Sequence, residues 1–228
     1  MNVHVFEPNL VGRDFVVGDL HGHSQMFWQV LHRAGVNLLT DRVFSVGDLV
    51  DRGPDSLGCL ALLRHPWFHG VWGNHDDAMA RTAAGNPTEW IEKWGGRWWL
   101  SCTAEQKAQA LDDASRLSYA MVVHCRDGSR FNVVHAEWHG SDAELAAGGY
   151  SKSQKACLMW SRDLISGECL PPEDLSPTYV GHSIVSMVRR IGSHIYIDTG
   201  AYRPDGRLTL LEPATGNSWS VEQQGEWM

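Results

Sequence analysis

Arg42-Val43-Phe44-Ser45-Val46-Gly47-Asp48-Leu49-Val50-Asp51-Arg52-Gly53 passes from an apolar run into a polar turn bounded by glycines. Residues 42–46 read as a buried strand, because β-branched and aromatic side chains fill them without helical spacing. The turn after them cannot be core, since Asp48, Asp51 and Arg52 are charged. The same unit occurs on either side. Asp14-Phe15-Val16-Val17-Gly18 runs into Gly18-Asp19-Leu20-His21-Gly22, and His69-Gly70-Val71-Trp72 runs into Gly73-Asn74-His75-Asp76. Helices are expected between these strands. Ser24 is placed to cap one, with Phe27, Val30, Leu31 and Ala34 at helical spacing and Gly35 as its stop. Pro54 is placed to start the other, along Leu57, Leu60, Ala61 and Arg64. The order β–α–β–α–β demands parallel strands with crossover helices, and it lines up the strands' carboxyl ends on one edge. Asp19, His21, Asp48, Asp51, Asn74 and His75 should therefore converge, with the glycines allowing sharp turns beside a ligand.

Beyond this frame the pattern changes. Asp76 to Leu117 reads as helical, broken around Gly85-Asn86-Pro87 and Gly95-Gly96. Tyr119–Cys125 and Arg130–His135 read as strands around the hairpin turn Arg126-Asp127-Gly128-Ser129. Tyr179-Val180, Met187–Ile191, His194–Ile197 and Leu208–Leu211 follow as strands, with a helix expected over Gln154–Leu164 in the ambiguous stretch 140–176. The mixture of parallel and antiparallel strands predicts an α/β (α+β) fold, two mixed sheets packed as a sandwich with helices outside. Residues 1–228 are expected to form a single domain, with a mainly helical segment 77–117 inside it.

Composition narrows the classes of function. The chain has 228 residues, 43% of them hydrophobic and 20% charged, which suits a packed core and excludes disordered and collagen-like classes. The formal net charge of −8 argues against nucleic acid or a membrane surface as partner. No apolar run approaches the roughly 18–20 residues of a membrane span, and residues 1–11 do not read as a signal peptide. The five cysteines, odd in number and never spaced CxxC, read as reduced thiols of a cytoplasmic protein.

Two later segments repeat the pattern of an imidazole at a strand end, Val133-Val134-His135-Ala136 and Tyr179-Val180-Gly181-His182-Ser183. Carboxylate, imidazole and amide together suit hard or borderline divalent ions such as manganese, iron or zinc. No cysteine lies in any of these turns, so a structural thiolate site is not indicated. One shared aspartate would permit two ions roughly 3.5–4 Å apart. Each turn taken alone is weak evidence; three in order after three strands are strong. His4, His32, His65, His69 and His124 are read as surface or packing residues and His194 as strand surface, while His23 and His139 lie close to the proposed ligands. The segment Glu89 to Trp99, with Trp90, Trp94, Trp98 and Trp99, is either a helix and turn packed on the domain or a flap over the site.

The three turns, followed in order by His135 and by Gly181-His182-Ser183, resemble the signature motifs of the phosphoprotein phosphatase family of metallophosphoesterases, nearest its short bacteriophage-lambda and bacterial branch. The resemblance runs from about Phe15 to Gly200, with Ile195 to Gly200 similar to that branch's closing strand. It implies a metal-dependent serine/threonine phosphatase, acting on phosphoproteins or phosphopeptides and on small phosphomonoesters or phosphotyrosine as further substrates. Two divalent ions are implied, manganese first, with iron, zinc or nickel as alternatives. Asp19, His21 and Asp48 would hold the first ion; Asp48 would bridge to the second, held also by Asn74, His135 and His182. A hydroxide bridging the ions would attack phosphorus directly. His75 would be the general acid, oriented by Asp51, and Arg52, Asn74 and, from Trp160-Ser161-Arg162, Arg162 would bind phosphate oxygens. Asp76 stands where many protein phosphatases have glutamate; aspartate there is common in the related bacterial diadenosine tetraphosphate hydrolases, whereas Asp51 and Trp160-Ser161-Arg162 favour the phosphatase branch. A dinucleoside polyphosphate hydrolase is thus the alternative. A non-catalytic metal-binding scaffold, the third reading, predicts loss of a ligand or of His75, and none is lost.

Overall fold

A computed structural model describes residues 2–83 and 85–223. The first half contains β1 (Val3–Phe6), β2 (Asp14–Val17), α1 (Ser24–Ala34), β3 (Arg42–Ser45), α2 (Ser56–Ala61), β4 (Phe68–Gly70), α3 (Asn74–Thr82), α4 (Thr88–Lys93) and α5 (Ala104–Ala114). The second contains β5 (Ala120–His124), β6 (Arg130–Val133), α6 (Asp142–Ala147), α7 (Lys152–Trp160), β7 (Thr178–Val180), β8 (Arg189–Ile191), β9 (His194–Tyr196), β10 (Arg207–Leu211) and β11 (Ser218–Glu222). Short 3₁₀ turns cover Leu62–Arg64 and Gly96–Ser101.

The strands form a five-stranded sheet, ordered β11-β10-β2-β3-β4, and a six-stranded sheet, ordered β1-β5-β6-β7-β9-β8. β2, β3 and β4 are parallel, as are β6, β7 and β9; β10, β11 and β8 run antiparallel to their neighbours. Side chains alternate across each strand, so consecutive residues serve different cores. Phe15 and Val17 face the helices α1 and α2, while Val16 between them packs with Phe44, Val123, Phe131 and Ile197 in the layer between the sheets. Val134, Trp138, Leu145, Leu158 and Tyr196 form a third core under α6 and α7. The sandwich with outer helices expected from sequence is the observed architecture.

Local differences have local reasons. Ser24 is the first residue of α1, not its cap: His23 occupies that place without a capping side chain, and the Ser24 hydroxyl bonds to Asp55. Helix α2 starts after Pro54, because Asp55 accepts the Gly58 N–H at 2.9 Å and so caps it. His194 is fully buried, not strand surface, and its Nε2 accepts the Trp138 N–H at 3.1 Å. The helix expected over 154–164 is α7, two residues earlier at its start and ending at Trp160. β1, β11 and α6 had no counterpart in the sequence reading; β1 pairs in parallel with β5, a partner more than a hundred residues away that local pattern cannot announce.

Candidate active site

The carboxyl ends of β2, β3 and β4 lie along one edge of one sheet, and those of β6, β7 and β9 along the adjoining edge of the other. The turns after them are tied directly together. His21 N–H donates to Asp48 O at 2.8 Å, Gly22 N–H to Leu49 O at 2.8 Å, and Gly181 N–H to His135 O at 2.8 Å. Close approach requires glycine at Gly73 and Gly181: an added Cβ would stand 2.1 Å from Asp48 Oδ1 in the first case and 1.9 Å from Asp19 Oδ1 in the second.

Asp19, His21, Asp48, Arg52, Asn74, His75, Arg162 and His182 line one cavity of about 170 Å³, with Ile184, Asp198 and Tyr202. Asp51 and His135 stand behind this wall, wholly buried. Every site residue expected from sequence is thus brought to one place. Asp48 lies at the middle. Its Oδ2 is 3.5 Å from His21 Nε2, its Oδ1 is 3.5 Å from His135 Nε2, and Oδ1 also accepts the His75 N–H at 2.9 Å. Two sets of ligand atoms gather around it, each within 4.8 Å: His21, Asp48 and His75, and Asp19, Asp48 and His135. Asn74 Oδ1 is 3.0 Å from His135 Nε2 and 2.8 Å from His182 Nδ1.

This arrangement fits divalent cations on its own evidence. His21 Nδ1 meets the Val50 carbonyl at 3.0 Å and His135 Nδ1 the Val46 carbonyl at 2.7 Å. A carbonyl only accepts, so each ring carries its proton on Nδ1 and presents a bare Nε2 lone pair. The His135 lone pair faces Asp48 Oδ1 and the Asn74 oxygen, acceptor against acceptors, which a cation resolves; the His21 lone pair lies between Asp48 and the Arg52 guanidinium. Burial, then Asp198 and Asp48, push the Asp19 carboxyl well above its ordinary value. Burial also works to raise Asp48, but the imidazoles of His135, His75 and His21 outweigh it and hold Asp48 below the usual carboxylate range. Burial lowers His21 and His135, and lowers His182 to about 3, so the imidazoles stay neutral and ready to ligate.

Around the carboxylates sit the other reactive groups. His75 Nδ1 donates to Asp51 Oδ2 at 2.7 Å, which leaves Nε2 toward the cavity beside Arg52 Nη2 at 2.8 Å. Arg52 Nη1 is 2.7 Å from His21 Nε2, and its guanidinium covers the Tyr202 ring at 4.1 Å. Arg162 Nη2 donates to the His182 carbonyl at 3.3 Å. Asp51 is held further by two indoles: Trp90 Nε1 donates to Oδ2 at 2.7 Å and Trp98 Nε1 to Oδ1 at 2.8 Å. Trp94 packs against His75 at 5.4 Å and Trp160 at 5.3 Å between ring centres. The tryptophan-rich segment therefore packs on the domain and over the site at once, and its polar ends support the His75–Asp51 pair.

Three features escaped sequence reasoning. The role of Trp90 and Trp98 is one; the density of indoles was the only signal. Asp198 and Tyr202 on the cavity wall are the second; burial raises Asp198 to about 6. The third is backbone strain. Among the described residues the non-glycine positions with positive φ are His21 (42°), Asp48 (49°), Asp51 (75°), Arg52 (70°) and His182 (62°), all in this site. Asp76, read as a substrate marker, is turned away from the cavity: Oδ1 accepts the Leu49 N–H at 3.0 Å and Oδ2 the Gly73 N–H at 3.0 Å, so it staples two site turns together.

Comparison with known proteins agrees with the geometry. The family model of calcineurin-like phosphoesterases matches residues 15–157. Serine/threonine-protein phosphatase 1 of Salmonella typhimurium is 36% identical over 200 residues, covering 86% of this chain and 89% of the relative. A symmetrical bis(5'-nucleosyl)-tetraphosphatase of Nitrosomonas europaea is 40% identical over 74 residues, 32% of this chain and 28% of that one. A solved structure described as a candidate diadenosine tetraphosphatase superposes with a TM-score of 0.73 at 22% identity, covering 98% of this chain and 99% of its own, a likeness of fold.

Proposed function

The chain belongs to the calcineurin-like phosphoesterases, hydrolases that act with divalent metal ions, and from that premise we propose a phosphoprotein phosphatase specific for phosphoserine and phosphothreonine. One observation carries the reading: relatives named serine/threonine-protein phosphatases match over 86% and 87% of the chain, whereas symmetrical tetraphosphatases match shorter stretches of it, 32% in one case and 58% in another. The cavity of about 170 Å³ has room for a phosphoryl group at its centre.

The proposed ligands are Asp19, His21 and Asp48 for one ion and Asp48, Asn74, His135 and His182 for the other. Two divalent cations there, manganese by preference, would neutralise phosphate charge and lower the pKa of water. The rest falls to the chain's own groups. Arg52 and Arg162 reach the cavity from separate turns and offer planar donors to phosphate oxygens. His75 Nε2, which faces Arg52 Nη2 at 2.8 Å in the structure, would hand a proton to the departing alkoxide once Arg52 turns to the phosphate, while Asp51 fixes the ring through Nδ1. Asn74 holds its amide between His135 and His182, at the wall where substrate oxygen must pass. The apolar faces of Trp94, Trp160 and Ile184 around this centre suit the side chain or backbone that carries the phosphate. The free thiols of all five cysteines accord with a cytoplasmic setting, and among the described residues no helix is long and apolar enough to cross a membrane.

A phosphopeptide and a dinucleoside polyphosphate, assayed side by side with metal analysis of the purified protein, test the proposal. Preference for the phosphopeptide with metal present supports it. Preference for the dinucleotide would favour the second reading, toward which the 40%-identical tetraphosphatase segment points.

A further inference from the structure

Arg162 is exposed at the start of the loop after α7, and among the described residues its guanidinium makes a single hydrogen bond, at the long distance of 3.3 Å. Its side chain is therefore not what places it. The placing is done behind it, at a carboxylate that sequence reading passed over. Glu137 is wholly buried, two residues beyond His135. Its Oε2 accepts the Ser161 hydroxyl at 2.7 Å and the Leu164 N–H at 3.0 Å, and lies 3.1 Å from His139 Nε2. Its Oε1 accepts the Tyr196 hydroxyl at 2.7 Å and the Ile165 N–H at 3.1 Å. Three of these donors, from Ser161, Leu164 and Ile165, bracket Arg162 in the chain. The strand end is tied to the same region by the Ala136 N–H, which donates to Leu158 O at 2.7 Å.

We infer that Glu137 is a positioning residue that sets the reach of Arg162 into the cavity by gathering the 161–165 loop onto one carboxylate. The inference rests on the reading of Arg162 as a phosphate ligand. A carboxylate suits the task because both its oxygens accept only, and every neighbour here donates. A glutamine would turn an N–H₂ toward two of the donors and release one side of the loop. Because the loop carries the arginine on its outer turn, a shift of about 1 Å at the backbone moves the guanidinium off a phosphoryl oxygen, a displacement worth about 10²-fold in rate.

The test is a cycle of Glu137→Gln, Arg162→Ala and the double variant in the metal-loaded enzyme. It reads kcat/KM on a phosphopeptide, inhibition by inorganic phosphate, and metal content. We expect each single variant to lower kcat/KM about 10- to 100-fold and to weaken phosphate inhibition in proportion, with metal content unchanged. In the Arg162→Ala background, Glu137→Gln should add less than about 2-fold, since the group it positions is gone. Should Glu137→Gln fail to fold, Ser161→Ala, which removes one donor, takes its place with a smaller shift of the same pattern. Effects that multiply in the double variant would overturn the inference, as would loss of metal in Glu137→Gln. An impaired Arg162→Ala beside unimpaired Glu137→Gln and Ser161→Ala sinks the role of Glu137 alone. An Arg162→Ala enzyme with normal phosphate inhibition sinks the assignment of Arg162 and the inference with it.

Discussion

Replacing Trp98 by phenylalanine removes one hydrogen-bond donor and little volume. The indole N–H it deletes is, among the described residues, the sole partner of Asp51 Oδ1, at 2.8 Å, while Oδ2 keeps both His75 and Trp90 at 2.7 Å. Asp51 is wholly buried, so water cannot replace the donor easily. A hydrogen bond to a buried charge contributes about 1.5–3 kcal/mol, which sets the expected loss of stability. For a chain of this size that lowers the melting temperature by roughly 3–12 °C. In the enzyme the carboxylate gains freedom to turn about its remaining oxygen, and the His75 ring turns with it. If about half of the lost energy appears in the transition state, proton delivery slows by about 4- to 13-fold. That loss should show only where the leaving group needs a proton. The assay compares a phosphoserine peptide with an aryl phosphate whose phenolate leaves unaided. We expect a fall of about 4- to 13-fold in kcat on the peptide and less than about 2-fold on the aryl ester. Equal slowing on both substrates would refute the reasoning, because Trp98 would then act on the metal centre or on the fold at large and not through Asp51.

Other expectations follow from the same geometry. His75→Asn should retain metal and lose about 10²–10⁴-fold on the phosphopeptide, with a smaller loss on the aryl ester; unchanged peptide turnover removes His75 from the acid role. Asp48→Asn should reduce both metal content and activity by at least about 10²-fold, because Asp48 stands between both ligand sets; a fully active variant contradicts its bridging place. Burial lowers His194 to about 4, and its Nδ1 has no partner among the described residues, so below pH 6.5 the unfolded chain takes up a proton that the folded chain refuses. That contribution to stability is intact above pH 6.5 and is lost as pH falls toward 4. It amounts to at most about 2 kcal/mol between pH 6.5 and 5. In urea titrations of the metal-free protein, His194→Gln, which keeps an acceptor for the Trp138 N–H, should flatten the acid limb by that amount; an unaltered limb rejects the assignment.

What the sequence disclosed was decided by strand ends. A strand that stops in glycine, aspartate and histidine cannot bury those groups, and the parallel order of β2, β3 and β4 gives all three turns one edge to share. His135 and His182 were legible for the same reason, each following an apolar run. Residues that act from behind the wall were not. Glu137, Trp90 and Trp98 lie in segments whose local pattern says only helix, turn or core, and their meaning appears when distant pieces of chain meet. His194 was misplaced because an imidazole in an alternating strand looks solvent-facing until a backbone N–H from Trp138 closes on it. Asp76 was legible as unusual and misleading as a substrate marker, since its oxygens are spent on the N–H groups of Leu49 and Gly73.

The left-handed backbone at His21, Asp48, Asp51, Arg52 and His182 also has an evolutionary consequence. Such a conformation costs a residue with a side chain about 1–2 kcal/mol, so five amount to about 5–10 kcal/mol, comparable to the whole net stability of a domain. Each of the five side chains faces the cavity or stands just behind it, so selection for turnover is what keeps glycine out. A copy of this protein released from that selection would drift toward glycine or asparagine at these positions and become sturdier as it fell silent.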